Sequence, residues 1–378
     1  MRVLFTCAAG LGHVFPLVPL ARAAMAAGDE VLFAVPTEGI ATVEELGFPA
    51  TVIPDGDPRD IGRAWSQLPD RGVNTYVVAD IFVRVQALAA LPALQAAIRT
   101  HRADLVITAE FGGIVAAESC AVPNALVGIT ALDLADLDLA RVSDAVDDLR
   151  EAAGLQRTGE LPYATGSHYL SAIPPMLWAD KEHLPPGWLW YRHEDAEGPV
   201  QPARSDLADR RPKVYATLGS MAGGNDRGRP IFAAVLTALG RLDADVLFTI
   251  GPFDPSWLGQ VPANVSIAAY VPQAKAMICD IVVSHGGSGT TIAGLTRGLP
   301  MVAVPMFADQ THNADRLVAA GVGLRVDPGQ VEEQLTSAIT QVLQDPTYRN
   351  SARQVATDIS TRPTPTQALN RIRTVLAL

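Results

Sequence analysis

The sequence contains no block of lysines or arginines, and its formal net charge is -11. That balance excludes the usual footprints of nucleic-acid binding and of adhesion to an anionic membrane. A local positive site for a phosphate stays compatible with it. Cysteine is scarce: the chain has 3, Cys7, Cys120 and Cys279, and no C-x-x-C pair. They read as small core residues in a reducing compartment, not as a disulfide framework. No basic segment followed by an apolar stretch opens the chain, so no signal peptide is expected and a cytoplasmic location is. No uninterrupted apolar run of about 18 residues occurs, so no membrane span is expected. His168, His183 and His193 lack metal-ligand spacing, and no metal site is expected.

What is present is a chain of 378 residues, 48% hydrophobic and only 18% charged, enough for two domains with large cores. Apolar strand-like runs alternate with helix-like patterns. In the first half "RVLFTC", "EVLFAV", "ADLVIT" and "NALVGI" read as strands. Residues 14–27, 76–101 and 113–120 read as helices, with Pro92 expected to kink or split the second. The stretch 54–71 is rich in Asp, Pro and Gly and reads as a loop. Residues 185–212 carry many prolines and charges and read as a linker region. The alternation then restarts with "KVYATLGS", "DVLFTIG", "VSIAAYV", "DIVVSHGGSGTT" and "MVAVPM". Such alternation predicts mostly parallel sheets covered on both faces. Ligands are expected where loops leave the carboxyl ends of the strands, in a crevice between two such domains.

The first glycine loop, "AAGLGHVFPLVPLA", tests poorly as a dinucleotide cradle. Gly10 and Gly12 supply two glycines of G-x-G-x-x-G, but Phe15 stands at the third position, and Glu30 is the only support further on. The second loop, "SHGGSGTT" at 284–291, is more informative. A buried strand ends there, the glycines let a ligand approach the backbone, and a helix follows. A helix N-terminus offers unpaired N–H groups and about half a positive charge. His285, Ser288 and Thr290 add donors suited to a diphosphate, and no lysine follows the glycines as a Walker loop requires. Gly219 and Ser220 end another strand in the same half, and Asp309 with Gln310 follow a third. A carboxylate beside an amide can bind adjacent sugar hydroxyls; Asp309 could equally cap its helix.

"GLGHVFPLVPLA" at 10–21, "YVPQ" at 270–273, "SHGGSGTT" at 284–291 and "PMFADQ" at 305–310 together resemble the family-one glycosyltransferases, most closely the bacterial enzymes that decorate polyketides and other natural products. The resemblance covers essentially the whole chain and is strongest over 268–325. It implies an α/β chain of two Rossmann-like domains facing across a cleft, the GT-B fold. It divides the chain into an acceptor domain at 1–193, a linker at 194–212, a nucleotide-sugar domain at 213–358 and a helix at 359–378 that returns to the first domain. Val271 and Gln273 would lie along the base and ribose. Ser220, His285, Gly287, Ser288, Gly289 and Thr290 would hold the diphosphate, and Asp309 and Gln310 would face the hexose. No cofactor or metal is implied, because the helix N-terminus and His285 stabilise the leaving group.

The resemblance assigns His13 as general base of an inverting transfer, a role a neutral imidazole suits at cellular pH. Relatives place an Asp after the strand matching "ADLVIT"; here Ala109 stands there and Glu110 follows, so Glu110 can partner His13 only if the strand has ended. Asp133, Asp136 and Asp138 are spare carboxylates or the start of a helix. Trp178, Trp188 and Trp190 could wall a flat acceptor or pack between domains. The expected reaction moves a sugar, a deoxysugar from a TDP-sugar, onto a hydroxyl of a hydrophobic aglycone. The alternatives are a UDP-glucose-dependent transferase, a nucleotide-sugar epimerase and a non-catalytic glycosyltransferase-like partner protein. The oligomeric state stays open, a homodimer included.

Overall fold

The computed structural model describes residues 1–8, 10–68, 73–130, 137–161, 168–178, 188–197, 210–219 and 228–378. Its strands form two sheets. The first contains β1 (Arg2–Thr6), β2 (Glu30–Val35), β3 (Ala50–Val52), β4 (Leu105–Thr108), β5 (Asn124–Gly128), β6 (His168–Ser171) and β7 (Trp188–Trp190), in the order β3-β2-β1-β4-β5-β6-β7. The second contains β8 (Lys213–Thr217), β9 (Asp245–Thr249), β10 (Val265–Ala268), β11 (Ile281–Ser284), β12 (Met301–Ala303) and β13 (Gly323–Arg325), in the order β10-β9-β8-β11-β12-β13. Every pairing in both sheets is parallel. The expected α/β class is therefore correct.

The central strands are buried because helices cover both faces, which is why they read as unbroken apolar runs. Val3, Leu4, Phe5, Leu105, Val106 and Ile107 are all fully buried. Phe5 stacks on Phe33 at 5.2 Å, and Phe232, on helix Arg229–Gly240, stacks on Phe248 of β9 at 5.7 Å. In each sheet the strand order reverses direction beside the first strand, between β1 and β4 and between β8 and β11. Loops leaving the carboxyl ends of strands at such switch points are where open α/β sheets bind ligands.

The chain divides into two units. The first is Met1–Ile173, Asp180–Arg192 and Arg362–Leu378; the second is Pro174–Ala179 and His193–Thr361. Residues 174–178 and 193–197 thus group with the second unit. The last helix, Pro365–Val375, packs on helix Val18–Ala26 of the first unit, where Arg373 and the N-terminal ammonium both pair with Asp29.

Four local expectations change. Residues 58–66 form a helix, not a loop: Asp57 accepts from the Arg59 N–H at 2.8 Å and Pro58 takes the first helical position. Trp188–Trp190 is a strand inside the expected linker region, held by a Tyr169–Trp188 stack at 3.7 Å. The helix over 74–101 runs through Pro92 unbroken, and its distortion lies upstream, where residues 77–87 widen into π-helical turns. This helix is also long and apolar enough, by length and composition, to cross a membrane, which no uninterrupted run in the sequence suggested. In the structure its Val83, Leu91, Leu94 and Ile98 are buried in the core cluster that includes Leu4, Ala34 and Val106 of the first sheet. Finally, Glu30 stands at the start of β2 and is exposed, at the opposite end of the strand from the Gly10 loop, so it cannot serve a cofactor there.

Candidate active site

At the switch point of the first sheet, β1 ends at Thr6 and the chain turns through Gly10 at φ 106°, a backbone region that disfavours any side chain. The N–H groups of His13 and Val14 donate to Gly10 O at 3.1 and 3.2 Å, starting a helical turn over Leu11–Val14. On the neighbouring strand, the Ala109 N–H still donates to Thr6 O at 3.1 Å and keeps the ladder's register. Glu110 then leaves the sheet and becomes the extended N-cap of helix Phe111–Ser119, at φ -136°. The strand has ended where it needs to. Glu110 Oε1 sits 2.7 Å from His13 Nδ1 and also accepts from the Ala8 N–H at 3.4 Å.

A carboxylate can only accept, so this bond assigns the proton to Nδ1 and leaves a lone pair on Nε2. Two further residues, unforeseen in the sequence, shape the ring's surroundings. Phe82 meets it edge-on, with centroids 5.7 Å apart, and Asp55, held by Gln86 Nε2 at 3.0 Å, adds negative charge. Burial pulls the His13 pKa down, but the Glu110 bond and the charges of Glu110 and Asp55 outweigh it, so the imidazole titrates above its ordinary value. Burial, followed by the charge of Glu38, raises the Asp55 carboxyl in turn.

The second sheet repeats the plan at its own switch point. β11 ends at Ser284, Gly286 turns at φ 81°, and helix Ser288–Thr296 begins with no side chain capping its first turn. His285 is half-buried. A Cβ on Gly287 would fall 2.4 Å from its Nε2, and one on Gly219, after β8, 3.0 Å away. Burial drives the His285 pKa down to about 4, partly opposed by Asp309 and the Thr217 backbone, so the ring is neutral at pH 7. A neutral ring beside a bare helix N-terminus can donate a hydrogen bond to an anion without carrying charge itself.

The loop before helix Gln310–Ala319 is tied to this one. Ser288 Oγ donates to Asp309 Oδ2 at 2.5 Å, and Asn313 Nδ2 donates to the same oxygen at 2.9 Å and to Gly286 O at 2.8 Å. Gln310 Oε1 accepts from the Met306 and Phe307 N–H groups at 2.8 and 3.1 Å, while Ala308 is held at φ 56°. Asp309 occupies the N-cap position but does not cap; its carboxylate goes to Ser288 and Asn313. Ser288 and Asp309, assigned in the sequence to diphosphate and sugar respectively, are thus bonded to each other. Asn313 was missed. Its position four residues after Asp309 on one helix face was the available signal.

The remaining assignments divide. Gly289 and Thr290 lie in the first turn of helix Ser288–Thr296, and Thr290 is buried. Val271 is half-buried, and the Gln273 N–H donates to Glu197 Oε2 at 3.4 Å. Trp178 belongs to the second unit and is 5% exposed. Its carbonyl accepts from Arg316 at 2.9 Å, and His312 Nε2 meets Leu177 O at 2.7 Å. Asp138 caps helix Leu139–Ala152, accepting from the Arg141 N–H at 3.2 Å. Ser220, Asp133 and Asp136 lie outside the described residues. Among the described residues, no three His, Cys, Asp or Glu side chains are grouped to hold a metal.

One buried ion pair also escaped the sequence reading. Arg297, at the end of the glycine-loop helix, pairs through both terminal nitrogens with Asp195, which His193 Nε2 also approaches at 3.3 Å. Burial raises the Asp195 carboxyl, but the bonds from His193 and Arg297 hold it below the usual carboxylate range.

Residues 233–375 match the C-terminal domain of erythromycin biosynthesis protein CIII-like proteins. L-demethylnoviosyl transferase of Streptomyces niveus is 31% identical over 390 residues, covering 97% of this chain and 96% of that one. Among solved structures, the glycosyltransferase SnogD from Streptomyces nogalater superposes with a TM-score of 0.76 at 27% identity, covering 99% of each chain. The glycosyltransferase VinC, solved in complex with DTDP, does so with a TM-score of 0.75 at 24% identity over 100% of each chain. The chain belongs to the nucleotide-sugar-dependent, family-one glycosyltransferases of antibiotic biosynthesis, with the GT-B fold.

Proposed function

We propose that this enzyme transfers a deoxysugar from a TDP-sugar to a hydroxyl of a hydrophobic natural-product aglycone, with inversion at the anomeric carbon. The observation that carries the reading is the His13–Glu110 bond, which leaves His13 Nε2 as a proton acceptor. The acceptor hydroxyl gives its proton to Nε2 as its oxygen bonds to the anomeric carbon. The bond from that carbon to the diphosphate breaks, and TDP leaves with the electron pair. Glu110 stabilises the imidazolium that forms, as the carboxylate of a catalytic triad does.

The donor side rests on the second unit. The first turn of helix Ser288–Thr296 and neutral His285 receive the diphosphate, and the developing charge meets fixed dipoles. Asp309 and Gln310 present the sugar side of the same loops. No metal enters this scheme, because the helix N-terminus and His285 supply the stabilisation; chelation by EDTA is expected to leave turnover unchanged. The TDP preference draws on VinC, whose structure carries that nucleotide. The sugar class draws on the L-demethylnoviosyl transferase.

A thermal-shift panel with TDP, UDP, GDP and NAD⁺ at matched concentrations tests the donor reading. A ligand at about 100 times its Kd adds roughly 2.7 kcal/mol, enough to resolve. Stabilisation by TDP beyond the others is the expected result. A shift with UDP instead would redirect the donor search to UDP-hexoses, and no shift with any nucleotide would overturn the assignment of the glycine loop.

A further inference from the structure

The carboxylate that meets His13 comes from the residue immediately after the one that makes the last ladder bond to β1. What makes Glu110 work is local. Thr108, the last residue of β4, is fully buried. Its Oγ1 accepts from the Glu110 N–H at 3.0 Å and donates to the Glu110 carbonyl at 2.9 Å. One hydroxyl therefore brackets both backbone polar groups of Glu110. It fixes the extended N-cap conformation immediately after Ala109 has made its last ladder bond. Only a group that donates and accepts at once can do this, so threonine or serine fits and valine does not. Gly113 is part of the same arrangement. A Cβ there would lie 2.3 Å from Thr108 Oγ1, so the helix's first turn lies directly over the hydroxyl.

We propose that Thr108 is a positioning residue: its hydroxyl holds the backbone of Glu110 so that the carboxylate reaches His13 Nδ1. The inference deepens the assignment of His13 as general base and rests on it for its effect on rate. Its structural half stands without it. The groups around His13 that bear charge or titrate are Glu110 and Asp55, with Glu38 beyond Asp55 and the buried Cys7 thiol beside Glu110. Of these, Glu110 alone is hydrogen-bonded to the ring among the described residues. Loosening it removes the main influence opposing burial.

The test compares Thr108→Val, Thr108→Ala and Thr108→Ser with wild type. It follows the His13 ring by ¹⁵N NMR titration and measures kcat and donor KM against pH. TDP binding and the thermal midpoint confirm folding, and the alanine variant stands in if the valine variant does not fold. In the variants lacking the hydroxyl, the His13 midpoint should fall and kcat should drop on the order of tenfold or more, with donor KM unchanged. Serine should restore both. A lowered midpoint with unchanged kcat would uphold the positioning role and remove His13 from the chemistry. An unchanged midpoint in a folded, hydroxyl-free variant would overturn the proposal whatever the rate does.

Discussion

His13 Nδ1 lies 2.7 Å from Glu110 Oε1, although 97 residues separate the two along the chain. The contact exists because β1 and β4 are neighbours in the sheet and both chains leave it at the same end. It sets the tautomer of the imidazole and raises its pKa. The transfer rate should therefore rise with pH to a plateau, with a midpoint above the ordinary imidazole value. Removing the charge with Glu110→Gln lowers the midpoint, so the acid limb should move to lower pH while the plateau falls by about tenfold or more. A pH series of kcat/KM on both proteins checks this, and coincident limbs would contradict it.

Replacing the base itself separates chemistry from binding. His13→Ala should reduce kcat at least about 100-fold. The donor loops lie in the other unit, so the Kd for TDP should not change. Calorimetry with TDP alongside steady-state kinetics measures both quantities. Unchanged turnover would exclude His13 from the mechanism.

The donor loop is sensitive at one glycine in particular. A methyl on Gly287 would press against the His285 ring, whose Nε2 also lies close to Gly219. Gly287→Ala should weaken TDP binding by about tenfold, ~1.4 kcal/mol, with the fold retained. An unaltered TDP isotherm would show that the diphosphate does not depend on this loop.

Stability of the second unit depends on the pair between Arg297 and Asp195. Arg297→Met removes both guanidinium bonds from the buried Asp195 carboxylate and should cost about 3–5 kcal/mol. The pair also predicts a pH dependence. The Asp195 pKa is depressed in the folded state, so its contribution is present above the ordinary carboxylate range and is lost as pH falls through the folded value. Urea melts at neutral and acid pH should show the gap between wild type and Arg297→Met narrowing in acid. A constant gap would contradict the assignment.

Much of this was legible in the sequence, for identifiable reasons. The central strands are unbroken apolar runs because both faces are covered, and the glycine loop announces itself by three glycines between a strand and a helix. The pairing of His13 with Glu110 could be posed but not decided. It turned on whether the strand stops at Thr108, and only the hydroxyl bracket on Glu110 answers that. Strands β6 and β7 were lost because both are short and aromatic, and Tyr169 of β6 stacks across on Trp188 of β7. The buried Arg297 was invisible because a lone charge after an apolar helix reads as a solvated end. Its partner is 102 residues away.

Inverting transfer from a TDP-sugar is tested by incubating the enzyme with a TDP-deoxyhexose of known anomeric configuration and a hydroxylated polyketide aglycone, then reading the product's anomeric coupling by ¹H NMR. A glycoside of inverted configuration, formed with one TDP per sugar transferred, is the expected product. A glycoside of retained configuration would contradict it, because a single displacement assisted by His13 cannot preserve the anomeric centre.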